Sequence, residues 1–161
     1  MSKIVVVGSI SMDLVMRTKR IPEGGETIFG DSFNIVPGGK GANQAVAIGR
    51  LSSVEDNIYI FGNVGEDIFS ADLLSNLQNN DISTAYVGTV PQSTGVAQIT
   101  LYGGDNRIIY YPGANNLVKT NDWKNEWKLI SDASIVVLQN EIPHEANLCI
   151  AKFCQENKVK V

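Results

Sequence analysis

The sequence predicts an α/β fold, a mostly parallel sheet flanked by helices, with a small antiparallel β-sheet lid. Three observations carry this expectation. Residues 4–7, 58–61 and 135–138 are short runs rich in β-branched and aromatic residues, without the alternating polar positions of a half-exposed strand. Such runs belong to strands buried on both faces. The segments after them repeat apolar residues at three- and four-residue steps, the period of a helix packed on a sheet. Two further stretches, 13–36 and 94–111, break this rhythm and carry hairpin signals instead.

In chain order, residues 4–7 form a strand that ends at Gly8, and residues 42–51 form a helix with Ala42, Ala45, Val46 and Gly49 on one side. A second buried strand at 58–61 precedes a helix at 67–79, with Phe69, Leu73, Leu74 and Leu77 at helical spacing. A third strand at 135–138 precedes a helix at 143–156, with Pro143 in its first turn and Ala146, Ile150 and Phe153 on one side. The pieces at 14–18 and 27–36, separated by Pro22-Glu23-Gly24-Gly25, and those at 96–102 and 107–111, separated by Gly103-Gly104-Asp105-Asn106, are the lid strands. They are equally readable as plain surface hairpins. Residues 157–161 resemble a helix end and the opening of another strand, so the chain is expected to be unfinished.

A length of 161 residues suits one domain, and 43% apolar against 19% charged residues excludes intrinsic disorder. The net charge of −4 leaves no basic surplus for a nucleic acid or an anionic membrane. Cys149 and Cys154 lie five residues apart, off a common helical face, and are expected to be idle or buried thiols in a reducing cell. His144 is the single histidine, so a multi-histidine metal site is excluded. The apolar run at residues 4–7 is too short for a signal peptide or a membrane span, which predicts a cytoplasmic protein.

The most informative stretch is Pro37-Gly38-Gly39-Lys40-Gly41-Ala42-Asn43. Three glycines in four positions let backbone approach a ligand closely, just before a helix N-terminus. Lys40 and Asn43 bring side-chain donors to the same place. It is not a Walker A loop, since Asn34 and Gly41 stand where that motif needs Gly and Ser or Thr. Alone, the cluster also reads as a tight turn feeding a helix. Asp13 and Glu141, however, are expected just beyond the carboxyl ends of the first and third buried strands, the edge at which open α/β sheets bind ligands. Two carboxylates there accept hydrogen bonds from neighbouring hydroxyls of one polyol, while Lys40 and Asn43 donate to its oxygens. The three charges sum to −1, which favours a neutral sugar over a sugar phosphate. Arg17, Lys19 and Arg20 read as the wet face of the lid rather than as a phosphate strip.

These residues are similar to those of the ribokinase branch of the PfkB carbohydrate kinase family. The resemblance runs through the segments beginning at Val6, Gly38 and Gly62, then Ser93-Thr94-Gly95-Val96-Ala97, Gly113-Ala114-Asn115 and Gln139-Asn140-Glu141-Ile142-Pro143. It covers essentially residues 1–161, as the N-terminal half of such a kinase. It implies sugar contacts from Ser11, Asp13, Gly38, Gly39, Lys40, Asn43 and Glu141, with Ala97 and Ile108 as apolar lid contacts. It also implies ATP as phosphoryl donor, magnesium, a potassium activator, the 5-hydroxyl of ribose as acceptor, and a homodimer through the lid.

The family's Asp-Thr-x-Gly-Ala-Gly-Asp type segment, which supplies the catalytic base and the phosphoryl-binding helix end, has no match here. The resemblance therefore assigns no catalytic, nucleotide-binding or metal residue to this chain, and predicts that it transfers no phosphoryl group by itself. Two positions depart from the pattern: Ser11 stands where many members carry Asn, and Ser70 where a glycine is usual. Kinases of deoxyribose, fructose or a nucleoside share the same glycine loop, and a non-catalytic sugar-binding or dimerisation module is the alternative of a different class.

Overall fold

The structure, a computed structural model, describes residues 2–53, 55–123 and 126–161. In chain order the elements are β1 (Lys3–Val7), β2 (Ser11–Arg17), β3 (Ser32–Gly38), α1 (Lys40–Leu51), β4 (Asn57–Gly65), α2 (Ser70–Gln78) and β5 (Ile82–Val90). There follow β6 (Gly95–Tyr102), β7 (Asp105–Tyr111), two 3-10 turns (Gly113–Leu117 and Thr120–Trp123), α3 (Trp127–Ser131), β8 (Ile135–Leu138) and α4 (His144–Glu156).

The first sheet has the order β5-β4-β1-β8 and is parallel throughout. Strand β1 lies between β4 and β8, and both faces of the sheet are covered there, so its valines alternate between two cores. Val5 and Val7 pack with Phe61, Val136, Ala146, Ile150 and Cys154 on one side. Val6 packs with Ala42, Ala45, Leu73 and Leu77 of α1 and α2 on the other. Phe61 anchors the α4 side, stacked on Tyr86 at a centroid distance of 4.5 Å and edge-on to Trp123 at 5.2 Å.

Strand β5 is absent from the sequence reading, because at the sheet edge its run of Ser, Thr and Gly among apolar residues lacks the continuous hydrophobic pattern of β1. Helix α1 begins at Lys40, two residues before expectation. Helix α2 begins at Ser70 rather than at 67, since the Asp67 carboxylate accepts from the Phe69 N–H and Ser70 hydroxyl and folds residues 67–69 into a turn. Lys160 forms a parallel bridge with Ile135, beside β8, where a further strand was expected.

The second sheet, in the order β3-β2-β6-β7, is the lid. Its outer pairs are antiparallel, but the central pair β2–β6 is parallel, which corrects the all-antiparallel expectation. Each of these two strands follows a strand of the parallel sheet, β1 or β5, through a short connection. They therefore leave its carboxyl edge in the same direction and lie side by side. Residues 27–31, read as strand from the sequence, lie outside β3, and Phe29 is fully exposed. The same geometry moves Asp13: it is not in the loop beyond β1 but is the third residue of β2, paired with Val36 and Ala97.

Leu77 seals α2 against the Val6 side of the core. Leu77→Ala should lower the unfolding free energy by about 3 kcal/mol. Urea unfolding should show a lower midpoint at unchanged slope; an unchanged midpoint would remove Leu77 from the core.

Candidate functional site

The glycine loop is held by backbone rather than by side chains. Gly38 ends β3, and Gly39 adopts φ 89°, a left-handed conformation open to glycine. A Cβ on Gly39 would stand 2.8 Å from both the Ser11 nitrogen and the Ser9 oxygen, and one on Gly41 would stand 2.6 Å from the Ser9 nitrogen. The first turn of α1 therefore lies directly on residues 8–11. There the Ala42 N–H donates to the Ser9 carbonyl at 2.9 Å, and the Gly41 N–H to the Ser9 hydroxyl at 3.2 Å.

Glu141 closes this junction from the end of β8. Its Oε2 accepts from the Ser9 hydroxyl at 2.7 Å and from the Lys40 backbone N–H at 3.0 Å, while Oε1 pairs with the Lys40 ammonium. Gln139 supports the same loop, donating to the Val7 carbonyl at 2.9 Å and accepting from the Ser9 N–H at 3.3 Å. Burial pushes the Glu141 carboxyl up, but the hydrogen bonds from Lys40 and Ser9 outweigh it and hold the group below its ordinary value. Asp13 is the opposite case. Burial and the nearby Glu141 charge raise it, Lys40 only partly offsets them, and no donor of the described residues bonds to its carboxylate. Asp13 thus presents an acceptor that no donor among the described residues satisfies.

The lid completes the cavity. Along a strand, residues two apart share a face. The register places Asp13, Ala97 and Tyr110 in one cross-strand row, with Ile99 and Ile108 paired in the next. These five side chains face the glycine loop across a cavity of about 210 Å³, whose remaining lining is Ser11, Gly39, Lys40, Asn43 and Glu141. Such a volume lies below the roughly 300–1,000 Å³ of drug-sized sites and suits a small polar molecule.

Eight of the nine residues expected to contact a sugar line this one cavity: Ser11, Asp13, Gly39, Lys40, Asn43, Ala97, Ile108 and Glu141. Gly38 does not line it, but backs the Asp13 carboxylate, which occupies the space a Cβ there would need. Sequence reasoning missed Ile99 and Tyr110, although two-residue periodicity from Ala97 and Ile108 points to both. It assigned no role to Ser9, Asn115 and Gln139, although they lie in the segments that carry the resemblance. The Arg17–Lys19 strip faces a different cleft, where Asp31 and Asp105 balance its charge, and Arg20 pairs with Glu26. Cys149 is exposed and Cys154 is buried. Among the described residues no three His, Cys, Asp or Glu side chains converge as metal ligands. Among the same residues no helix is long and apolar enough to cross a membrane.

A lidded parallel sheet with acceptors and donors converging at its carboxyl edge has the geometry at which open α/β sheets bind small ligands. The chain belongs to the pfkB family of carbohydrate kinases, whose family profile matches residues 1–161. It is 57% identical to the ribokinase of Lactococcus lactis over 161 residues, all of this chain and 53% of that protein. It is 39% identical to the Bacillus subtilis ribokinase, over all of this chain and 54% of that one. The structure of Arabidopsis thaliana ribokinase complexed with ribose and ATP matches with a TM-score of 0.83 and 32% identity, over 99% of this chain and 52% of that one. The chain thus spans about half the length of the curated relatives it matches.

The raised Asp13 carboxyl fixes the sign of a stability test. A carboxylate whose folded pKa exceeds its unfolded value of 3.8 penalises folding once ionised. The penalty is absent below the unfolded value and complete above the raised one. Asp13→Asn should therefore raise the thermal midpoint of the ligand-free protein at neutral pH, and the gain should vanish below the carboxylate range. A lower midpoint at neutral pH would contradict this account.

Proposed function

We propose that the full-length protein is an ATP-dependent carbohydrate kinase that phosphorylates the 5-hydroxyl of D-ribose, and that this chain supplies its sugar-binding half and lid. The observation that carries this reading is the convergence of Asp13, Glu141, Lys40 and Asn43 beneath the apolar lid residues Ala97 and Ile108. Asp13 and Glu141 accept from sugar hydroxyls, Lys40 and Asn43 donate to sugar oxygens, and Ser11 adds a hydroxyl contact. The Gly38-Gly39 backbone lets the sugar lie close to the loop. Ala97 and Ile108 cover the apolar face of the ring.

The formal charges of Asp13, Glu141 and Lys40 sum to −1, which disfavours a phosphorylated substrate relative to a neutral one. The Lactococcus and Bacillus relatives are named ribokinases, which favours ribose within the class. What this half contributes to phosphoryl transfer is orientation: it fixes one hydroxyl in space and excludes water from the ring. Magnesium and potassium, when bound, would neutralise and position the ATP phosphates. Their ligands and the base belong to the half of the kinase that this chain lacks.

The outer lid face leaves Phe33, Ile35 and Ile109 half or more exposed, a patch that fits a second copy of the protein in a homodimer. A cytoplasmic location accords with the use of ATP as phosphoryl donor.

Coupled measurement of ADP formation by the full-length protein tests this reading. Ribose should be turned over, and the 161-residue chain alone should yield no ADP. Turnover of 2-deoxyribose, fructose or a nucleoside without ribose would overturn the substrate and keep the family. Sugar binding with no turnover by the full-length protein would favour a non-catalytic module.

A further inference from the structure

At the seam between lid and core, three polar side chains that the kinase reading leaves unassigned or incompletely assigned form a closed network. Asn115, fully buried in the 3-10 turn after β7, accepts from the Ile10 N–H at 2.9 Å. That bond fixes the amide orientation and leaves its nitrogen facing three acceptors. These are the Ile10 carbonyl at 3.1 Å, the Ser11 hydroxyl at 3.0 Å and the Tyr110 hydroxyl at 3.1 Å. The two hydroxyl oxygens lie 3.4 Å apart. Space for the network comes from Gly95, where a Cβ would stand 2.7 Å from the Ser11 hydroxyl and closer still to the Asn115 nitrogen.

Counting protons decides what the network can do. An amide nitrogen has no lone pair to offer, so neither hydroxyl can donate to Asn115, whose two N–H protons are shared among the Ile10 carbonyl and the two hydroxyl oxygens. Two hydroxyl protons remain. The contact between the oxygens uses at most one of them. No other protein acceptor of either proton exists among the described residues. At least one O–H is therefore left without a protein acceptor, on side chains that both line the cavity and can offer it to a ligand there. A donor left unmatched in a closing pocket costs binding free energy, so the site discriminates against ligands without an acceptor at that point.

We infer that Tyr110 and Ser11, locked by Asn115, form a hydroxyl pair that presents one O–H donor to a sugar oxygen and thereby sets which sugars the cavity accepts. The inference rests on the carbohydrate-binding reading above and deepens it. Tyr110 is the specificity-determining residue, because its side chain lines the cavity and its hydroxyl reaches both partners. Asn115 is a positioning residue, since it acts only through the two hydroxyls. Burial pushes the Tyr110 phenol up, so the proton stays in place at neutral pH.

Titration calorimetry on the full-length protein tests this with D-ribose, 2-deoxy-D-ribose, D-fructose and adenosine. Wild-type binding of at least one of the four tests the carbohydrate reading, and binding of none overturns both readings. Tyr110→Phe keeps the ring and removes the hydroxyl. It should weaken the best ligand by roughly three- to tenfold, change the order or ratios of affinity across the panel, and leave the thermal midpoint within about 2 °C. Ser11→Ala should do likewise, and the double variant should lose less than the product of the two single losses, as expected for coupled partners. Wild-type binding with Tyr110→Phe within twofold on every ligand overturns the inference alone. So does an equal loss on all four ligands, the mark of a purely structural role, or strict multiplicativity of the two variants.

Discussion

The Glu141 carboxylate is the interaction on which the site depends. It accepts from a hydroxyl on the loop after β1, and from both the backbone and the side chain of the first residue of α1. Three segments distant in sequence are thereby tied at the carboxyl edge of the sheet: residues 8–11, the glycine loop and the end of β8. The geometry requires glycine at Gly39 and Gly41, because any Cβ there would push α1 away from Ser9. Lys40 holds Glu141 ionised, and Glu141 in turn fixes where Lys40 can donate. Charge pairing and backbone packing thus depend on each other.

Asp13 is the group this arrangement leaves unsatisfied. It sits on a lid strand, half-buried and within the field of Glu141, and the folded state tolerates its charge rather than gaining from it. Ligand-binding sites commonly carry such destabilised groups, since an acceptor already satisfied by protein has nothing to offer a ligand. The lid register turns this local cost into shape. One row carries the acceptor Asp13, the small Ala97 and the phenol of Tyr110, and the adjacent row carries Ile99 and Ile108. Acceptor, wall and donor are therefore set by strand pairing, while the lid's opposite face presents Phe33, Ile35 and Ile109 outward.

What was legible in the sequence follows from which forces act locally. Strands β1, β4 and β8 were readable because burial on both faces leaves uninterrupted apolar runs, and α1 and α2 because a sheet-facing stripe repeats every three to four residues. The glycine loop was readable because close backbone approach demands glycine. Strand β5 was not, because its run mixes Ser, Thr and Gly with apolar residues. Nor was the parallel β2–β6 pairing, which joins segments more than 80 residues apart and is decided by the directions in which they leave the main sheet. Eight of nine expected contact residues meet in one cavity. Ser9, Gln139 and Asn115 lie in segments that carry the family resemblance, but their supporting roles were not legible, because single polar residues that serve long-range hydrogen bonds leave no periodic trace.

The central claim is spatial: the acceptors Asp13 and Glu141 and the donors Lys40 and Asn43 hold one uncharged sugar between the glycine loop and the lid. A crystal structure of the full-length protein grown with ribose tests it most directly. Ring hydroxyls should lie within hydrogen-bonding distance of both carboxylates, with Ala97 and Ile108 against the ring. Ribose bound elsewhere, or bound here without contact to Asp13 and Glu141, would contradict the account.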